Sequence, residues 1–210
     1  MPSTQTLLAF ISVNILLALA PGPDNLMVLG QSIARGARAG FLLTLGCAAG
    51  CFTHTLWAAL GISALVLASE TAFLLLKIAG ALWLFWIGWQ TLRSPALGSV
   101  RARAEARSDW QDFRRGFVAN AINPKVALFF LAFLPQFTDA ARGTIGVQIV
   151  VLGCVFALNT IVIFGAIAFC AGKLGALLAR RPALGLWMNR LAGIIFIALA
   201  LNLLLAHAPR

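Results

Sequence analysis

The sequence predicts an all-α polytopic membrane protein: six transmembrane helices arranged as two inverted three-helix repeats, with the first and fourth helices broken. Three observations predict it. First, the 210 residues are 61% hydrophobic and only 10% charged, with a mean hydropathy of +0.93. A soluble domain carries about 25% charged residues, so water-soluble and disordered classes are excluded. Second, apolar runs at 5–29, 41–68, 71–92, 116–137, 145–171 and 184–206 each reach the roughly 20 residues that a bilayer-crossing helix needs. They are rich in Leu and Ala without period-2 alternation, so they fit helices and not barrel strands. Third, proline interrupts the first and the fourth run.

In the first run, Ala18-Leu19-Ala20 has the look of a signal-peptide cleavage site. No Lys or Arg precedes Leu7, however, and Pro21 would follow the scissile bond, so the run is expected to stay as a span. It contains the break Pro21-Gly22-Pro23-Asp24-Asn25. The second run carries Cys47, Cys51 and His54, and Gly46-x-x-x-Gly50, a close-packing face suited either to the subunit interior or to a dimer contact. The third carries Lys77, Trp83, Trp86 and Trp89; Trp89 suits the interface, and Trp83 and Trp86, lying deeper, suit packing. A basic connection, 93–115, follows, in which Trp110 and Phe113 suit the membrane surface. The fourth run breaks at Asn123-Pro124-Lys125. The fifth holds Asn159 and Thr160, and the sixth holds Trp187 near its start and Asn202. The whole is read as one domain, 1–210, with repeats at about 5–92 and 116–206.

The formal charge of +10 could suggest nucleic acid, but its placement decides otherwise. Twelve of the sixteen cations fall on alternate connections: Arg35 and Arg38; Arg93, Arg101, Arg103, Arg107, Arg114 and Arg115; Lys173, Arg180, Arg181 and Arg190. That is the positive-inside pattern, which puts both termini outside the cytoplasm and leaves no role for nucleic acid. The partner it implies is the lipid bilayer.

Proline inside a span removes a backbone hydrogen bond and frees a carbonyl. Matched interruptions in two halves mark a transporter's binding site, whereas a single break is only a kink. Asp24 is the acid that falls within an apolar run, the other five lying in loops or at span ends. A charge at the bilayer centre costs about 2.5–3.5 kcal/mol, so Asp24 should face protein or a cavity. In both halves a charged residue directly follows a proline: Asp24 after Pro23, Lys125 after Pro124. The two either neutralise each other, or form a cavity complementary to a zwitterion, with the helix start at Asn123-Pro124 adding donors for a carboxylate. Lys77 either snorkels or reaches that cavity. His54, with an ordinary pKa of about 6.5, suits proton coupling or simple packing. Cys47, Cys51 and His54 share a helix face at i, i+4, i+7, a metal-binding arrangement only if further ligands join them. Cys154 and Cys170 complete the cysteines, with no secreted disulfide pattern. Neither a P-loop nor a dinucleotide fingerprint is present, nor a hydrolytic Ser/His/Asp set, so the reading is of a transporter and not an enzyme, with no cofactor.

The chain resembles the LysE/RhtB family of bacterial amino-acid exporters, in the branch of homoserine, threonine and leucine exporters. The resemblance is carried by Ala20-Pro21-Gly22-Pro23-Asp24, Gly36-x-Arg38-x-Gly40, Lys77-x-x-Gly80 with Gly88, Gly116-Phe117, Asn123-Pro124-Lys125 and Pro135-Gln136-Phe137, in this order along nearly the whole chain. It implies inner-membrane export of amino acids or analogues coupled to the proton motive force, often by a homodimer. Trp83 stands where the family usually has tyrosine, a departure that bears on specificity. The expectation is a secondary antiporter in which Asp24 holds the α-amino group, Lys125 with Asn123 and Pro124 holds the carboxylate, and Asn25 is a further substrate-binding candidate. Lys77 is a further candidate for the substrate, Asp24 and then His54 are the proton carriers, and Pro21, Gly22, Pro23 and Pro124 make the breaks. Two other classes compete: a membrane thiol oxidoreductase or electron carrier, and a metal exporter built on Cys47, Cys51 and His54.

Overall fold

The computed structural model describes residues 1–68, 70–94 and 107–205. Most of the basic connection, including Arg101 and Arg103, and the last five residues lie outside the described residues. The order is α1 (Thr4–Leu19), α2 (Pro23–Arg35), α3 (Ala37–Ala68), α4 (Glu70–Arg93), α5 (Asp109–Ala121), α6 (Pro124–Leu128), α7 (Ile145–Arg180) and α8 (Pro182–Leu205). Between α6 and α7 the chain passes through a π-helical turn at Phe129–Phe133 and 3₁₀ turns at Leu134–Phe137 and Ala140–Arg142. No strand occurs among the described residues.

Local chemistry sets the boundaries. Ser3 caps α1 by accepting from the Thr6 amide at 3.1 Å. The helix stops at Leu19 because Pro21 has no N–H to continue it and disfavours helical backbone at Ala20, which turns extended at φ −62°, ψ 124°. Pro23 then opens α2 as its first residue, where a missing N–H costs nothing. The two pieces meet at a bend of 57°. Gly36 ends α2 at φ +85°, a left-handed backbone that glycine adopts without strain. Ser108 and Gln111 cap α5 reciprocally, at 2.8 and 3.3 Å. The fourth expected run therefore starts at Asp109 and not at 116, since a polar first turn with a strong cap is invisible to hydropathy. That helix ends before Asn123-Pro124, and Pro124 opens α6.

Stretches within α3 (Ala37–Gly61), α7 (Ile145–Leu178) and α8 (Ala183–Leu205) are long and apolar enough to cross a membrane, and α1 with α2 forms a bent fourth. The apolar exterior fits lipid: Trp57, Phe169 and Leu191 are all more than half exposed, while Asn14, Asp24, Gln31, His54, Asp112, Asn120 and Gln148 are buried. This is a multi-pass membrane protein with a buried polar interior, although Ser12 and Asn202 face outward. At one end the Arg93 guanidinium lies 4.2 Å from the Trp89 ring centroid, and that of Arg190 lies 5.7 Å from Trp187. Trp110 stacks on Phe113 and is exposed. Trp86, expected as a packing residue, instead faces outward at 46% exposure. Trp83 is half-buried beside it, with ring centroids 4.7 Å apart.

Helix α3 packs extensively against α5. A Cβ on Gly46 would overlap the Phe113 carbonyl oxygen, one on Gly116 would overlap the Leu43 carbonyl oxygen, and one on Gly50 would press on Phe117 and Asn120. The Gly46-x-x-x-Gly50 face is thus used inside the subunit, which sets aside the dimer-contact alternative for it. Gly88 of α4 and Gly193 of α8 make a second such contact, each against the other's carbonyl oxygen. Gly46→Ala or Gly116→Ala should force the backbones apart and cost at least about 1–3 kcal/mol, read as a drop in thermal stability in detergent. Gly172→Ala, where an added methyl meets nothing within 4 Å, should leave stability unchanged or slightly raised.

Candidate functional site

The two breaks face each other. Between them lies a small chamber of about 30 Å³, room for one or two waters. Its polar walls are Asp24 and Asn25 from the first break and Asn120, Asn123 and Lys125 around the second; Phe156, Thr160 and Phe164 of α7 close the side.

Asp24 sits in the first turn of α2, where the positive helix end favours its charge. It is 5% exposed. Asn120 Nδ2 donates to Asp24 Oδ2 at 2.7 Å, while Asp24 Oδ1 is buried with no hydrogen-bond partner. A carboxylate oxygen in that position is an acceptor waiting for a donor. Asn120 itself is held from α3: His54 Nε2 donates to its carbonyl oxygen at 2.8 Å, and its Cβ packs on Gly50.

Lys125 leaves α6 and reaches the end of α1. Its Nζ donates to the carbonyl oxygens of Leu17 at 3.0 Å and Ala20 at 3.2 Å, and lies 4.8 Å from the Phe196 ring centroid. The break leaves these carbonyls without helical partners, and the negative end of the α1 dipole points at them. An ammonium has three N–H donors, so one remains for another acceptor. Asp24 and Lys125 line one chamber without pairing directly: each takes neutral partners, so the mutual-neutralisation alternative is not what the geometry displays.

Other expected site residues are placed differently. Asn25 Nδ2 donates to the carbonyl oxygens of Ala18 at 3.0 Å and Ala20 at 2.9 Å, and Oδ1 accepts from the Gly22 amide at 2.8 Å. Its amide therefore holds the break together. Asn123 Oδ1 accepts from the Lys125 amide at 3.0 Å, so this cap already occupies one of the donors expected at the start of α6. Pro124 is exposed, and Pro23 likewise, although Pro23 lines the chamber. Lys77 is remote from the chamber lining: its Nζ donates to the Leu204 carbonyl oxygen at 3.2 Å, at the end of α8, because seven residues into α4 puts it near that helix end. His54 reaches the chamber only through Asn120. Cys47 and Cys51 are buried, Cys154 and Cys170 are exposed, and all four are free thiols. Among the described residues no three His, Cys, Asp or Glu groups converge as a metal site, so Cys47, Cys51 and His54 recruit no further ligand.

Two buried polar residues next to the candidate site escape a sequence reading. Asn120 carries no motif, and its one signal is its position at i+4 from Gly116. Asp112, counted from the sequence as a loop acid, is 0% exposed: Arg35 Nη1 contacts both its carboxylate oxygens at 2.8 and 2.7 Å, and Gln31 Nε2 donates to Oδ1 at 2.7 Å. Its polar neighbours in sequence conceal that burial. Asn120→Ala should leave Asp24 without its donor and cost about 1–3 kcal/mol. Combined with Asp24→Asn in a double-mutant cycle on thermal stability, it should give a coupling of about 0.5–3 kcal/mol.

The chain is 31% identical over 192 residues to an uncharacterised membrane protein of Pseudomonas aeruginosa, covering 88% of each chain. It is 32% identical over 202 residues to one of Vibrio cholerae, covering 96% of this chain and 97% of that protein. A leucine efflux protein of an Enterobacter species is 28% identical over 192 residues, 91% of each. No solved structure matches. The family model of LysE type translocators matches residues 15–207, and with it the chain belongs to the LysE type translocator family.

Proposed function

We propose that this chain is a secondary exporter of neutral amino acids or their analogues, of the homoserine, threonine and leucine kind, in the bacterial inner membrane, driven by the proton motive force. The observation that carries the reading is the chamber at the meeting of two broken helices, which holds a buried carboxylate with an unpartnered oxygen and a lysine with an N–H to spare. Opposite charges held apart in a low-dielectric space match a zwitterion: Asp24 takes the α-ammonium and Lys125 the α-carboxylate. Family membership and the leucine efflux relatives support the substrate class. A space of about 30 Å³ is smaller than any of these substrates, so the walls must part during transport, and the breaks are where the backbone can yield.

Element order supports the inverted three-plus-three arrangement: a broken helix, a long helix and a 24-residue helix occur twice, as α1–α2, α3, α4 and as α5–α6, α7, α8. The arginine-rich end then faces the cytoplasm and both termini lie outside it. Asp24 is the proton carrier, with Asn120 and His54 fixing its position.

The test is efflux of leucine and threonine from preloaded vesicles under an imposed pH gradient. Asp24→Asn should lower the rate about a hundredfold or more and abolish its dependence on the gradient; retained pH-driven efflux removes Asp24 as carrier. Lys125→Gln should raise the KM for amino acids by about tenfold while sparing a decarboxylated amine analogue. An equal loss for both compounds would mean that Lys125 serves only to hold α1.

A further inference from the structure

Below the chamber, α2 and α5 run antiparallel and are laced by polar side chains, with Met27 and Val118 beside them in the hollow between the two helices. Asp24, Gln31 and Arg35 lie at i, i+7 and i+11, one face of α2. Asp24 takes Asn120, while Gln31 and Arg35 both take Asp112. Seven residues separate the two rungs on α2, about 10 Å along the axis. Arg35 also donates through Nη2 to the Arg107 carbonyl oxygen, and Arg115 Nη1 donates to Gln31 Oε1 at 3.3 Å. Arg115 in turn lines an open hollow of about 640 Å³ together with Arg107, Gln111 and Arg114.

The contrast with the neighbouring contacts is physical. The α3–α5 contact is backbone against backbone through Gly46 and Gly116, and separating it would open a void. The opposite side of the chamber is closed by aromatic packing, in which Phe156 meets Phe129 and Phe130 with centroids 5.6 and 4.9 Å apart. An ion pair, by contrast, loses little when it opens into water, because both charges regain their hydration. The lower rung is also incomplete as a permanent seal: Arg35 keeps 19% of its side chain accessible while Asp112 has none.

We propose that Arg35, Asp112 and Gln31 form the latch of a gate between the Asp24 chamber and the arginine-lined hollow, closed here and opened by parting α2 from α5. The proposal rests on the exporter reading for its purpose, but its test reads access and not transport. In a background carrying Cys47→Ala, Cys51→Ala, Cys154→Ala and Cys170→Ala, the chamber-lining Ala18→Cys serves as reporter, labelled by a charged, membrane-impermeant thiol reagent from either face of sealed vesicles. Arg35→Ala or Asp112→Asn should speed labelling about tenfold or more, as a minor open population becomes the major one, and only from the face bearing the arginines. The exchange Arg35→Asp with Asp112→Arg should restore slow labelling. Gln31→Leu, which removes one neutral hydrogen bond, should give a smaller rise in the same direction, and decides the matter alone if the charge variants do not fold. Unchanged labelling, an equal rise from both faces, or no recovery in the exchange overturns the latch. Absence of leucine efflux by the unsubstituted protein, with labelling of the variants as expected, would instead overturn the substrate assignment and leave the gate standing.

Discussion

Two backbones that touch without side chains between them set the frame for everything else in this molecule. At Gly46 and Gly116 the α3 and α5 chains approach so closely that a single methyl group would strike a carbonyl oxygen. That approach brings the next turn of α5 against Gly50 and His54, and so fixes Asn120 in rotation and depth. Asn120 then fixes Asp24. In lipid, where apolar side chains gain little by leaving one hydrocarbon surroundings for another, close packing of this kind supplies much of the force that holds helices together. A buried carboxylate can be positioned only by such a rigid partner, since a mobile amide would let it find other donors.

The breaks illustrate how a membrane protein tolerates irregular backbone. Side chains take most of the backbone groups freed at the break: the Ala18 and Ala20 carbonyls take Asn25, the Leu17 and Ala20 carbonyls take Lys125, and the Gly22 amide takes the Asn25 side chain. Orphaned backbone groups in hydrocarbon cost several kcal/mol each, so the break persists because two side chains satisfy it. Lys125 therefore has a double character. It is part of what keeps α1 short, and it lines a chamber that also holds the unsatisfied Asp24 carboxylate oxygen. Ligand binding there would draw on a side chain that also holds the fold, which couples occupancy to the geometry of the break.

The chamber's two ends are closed by different physics. Phenylalanines, among them Phe10, Phe129, Phe133 and Phe137, fill one side with ring contacts at 5.2 to 6.1 Å, next to a π-helical turn, a form that recurs at functional sites. Hydrogen bonds and an ion pair close the other. Apolar packing resists separation in proportion to the surface exposed, whereas a polar latch exchanges one set of hydrogen bonds for another with water. Under the exporter proposal, alternating access would need contacts that open on one side while the other stays shut, and this asymmetry would allow it.

Composition, run length and proline placement are local properties, and they were enough to read the helical membrane class and the two breaks whose Asp24 and Lys125 line one chamber. Hydropathy also misled locally: it began the fourth run at 116, past the Ser108 cap, and it left Asp112 among loop acids because its neighbours are polar. Lys77 and Asn25 looked like ligands by residue type, yet one lies at the end of α8 and the other is used on the backbone. What only the tertiary structure decided are the partnerships between distant segments. Asp24 meets Asn120 across 96 positions and Gln31 meets Asp112 across 81. No periodicity within a helix carries that information, because it depends on which helix faces are pressed together, and here small residues on two separate helices decide it.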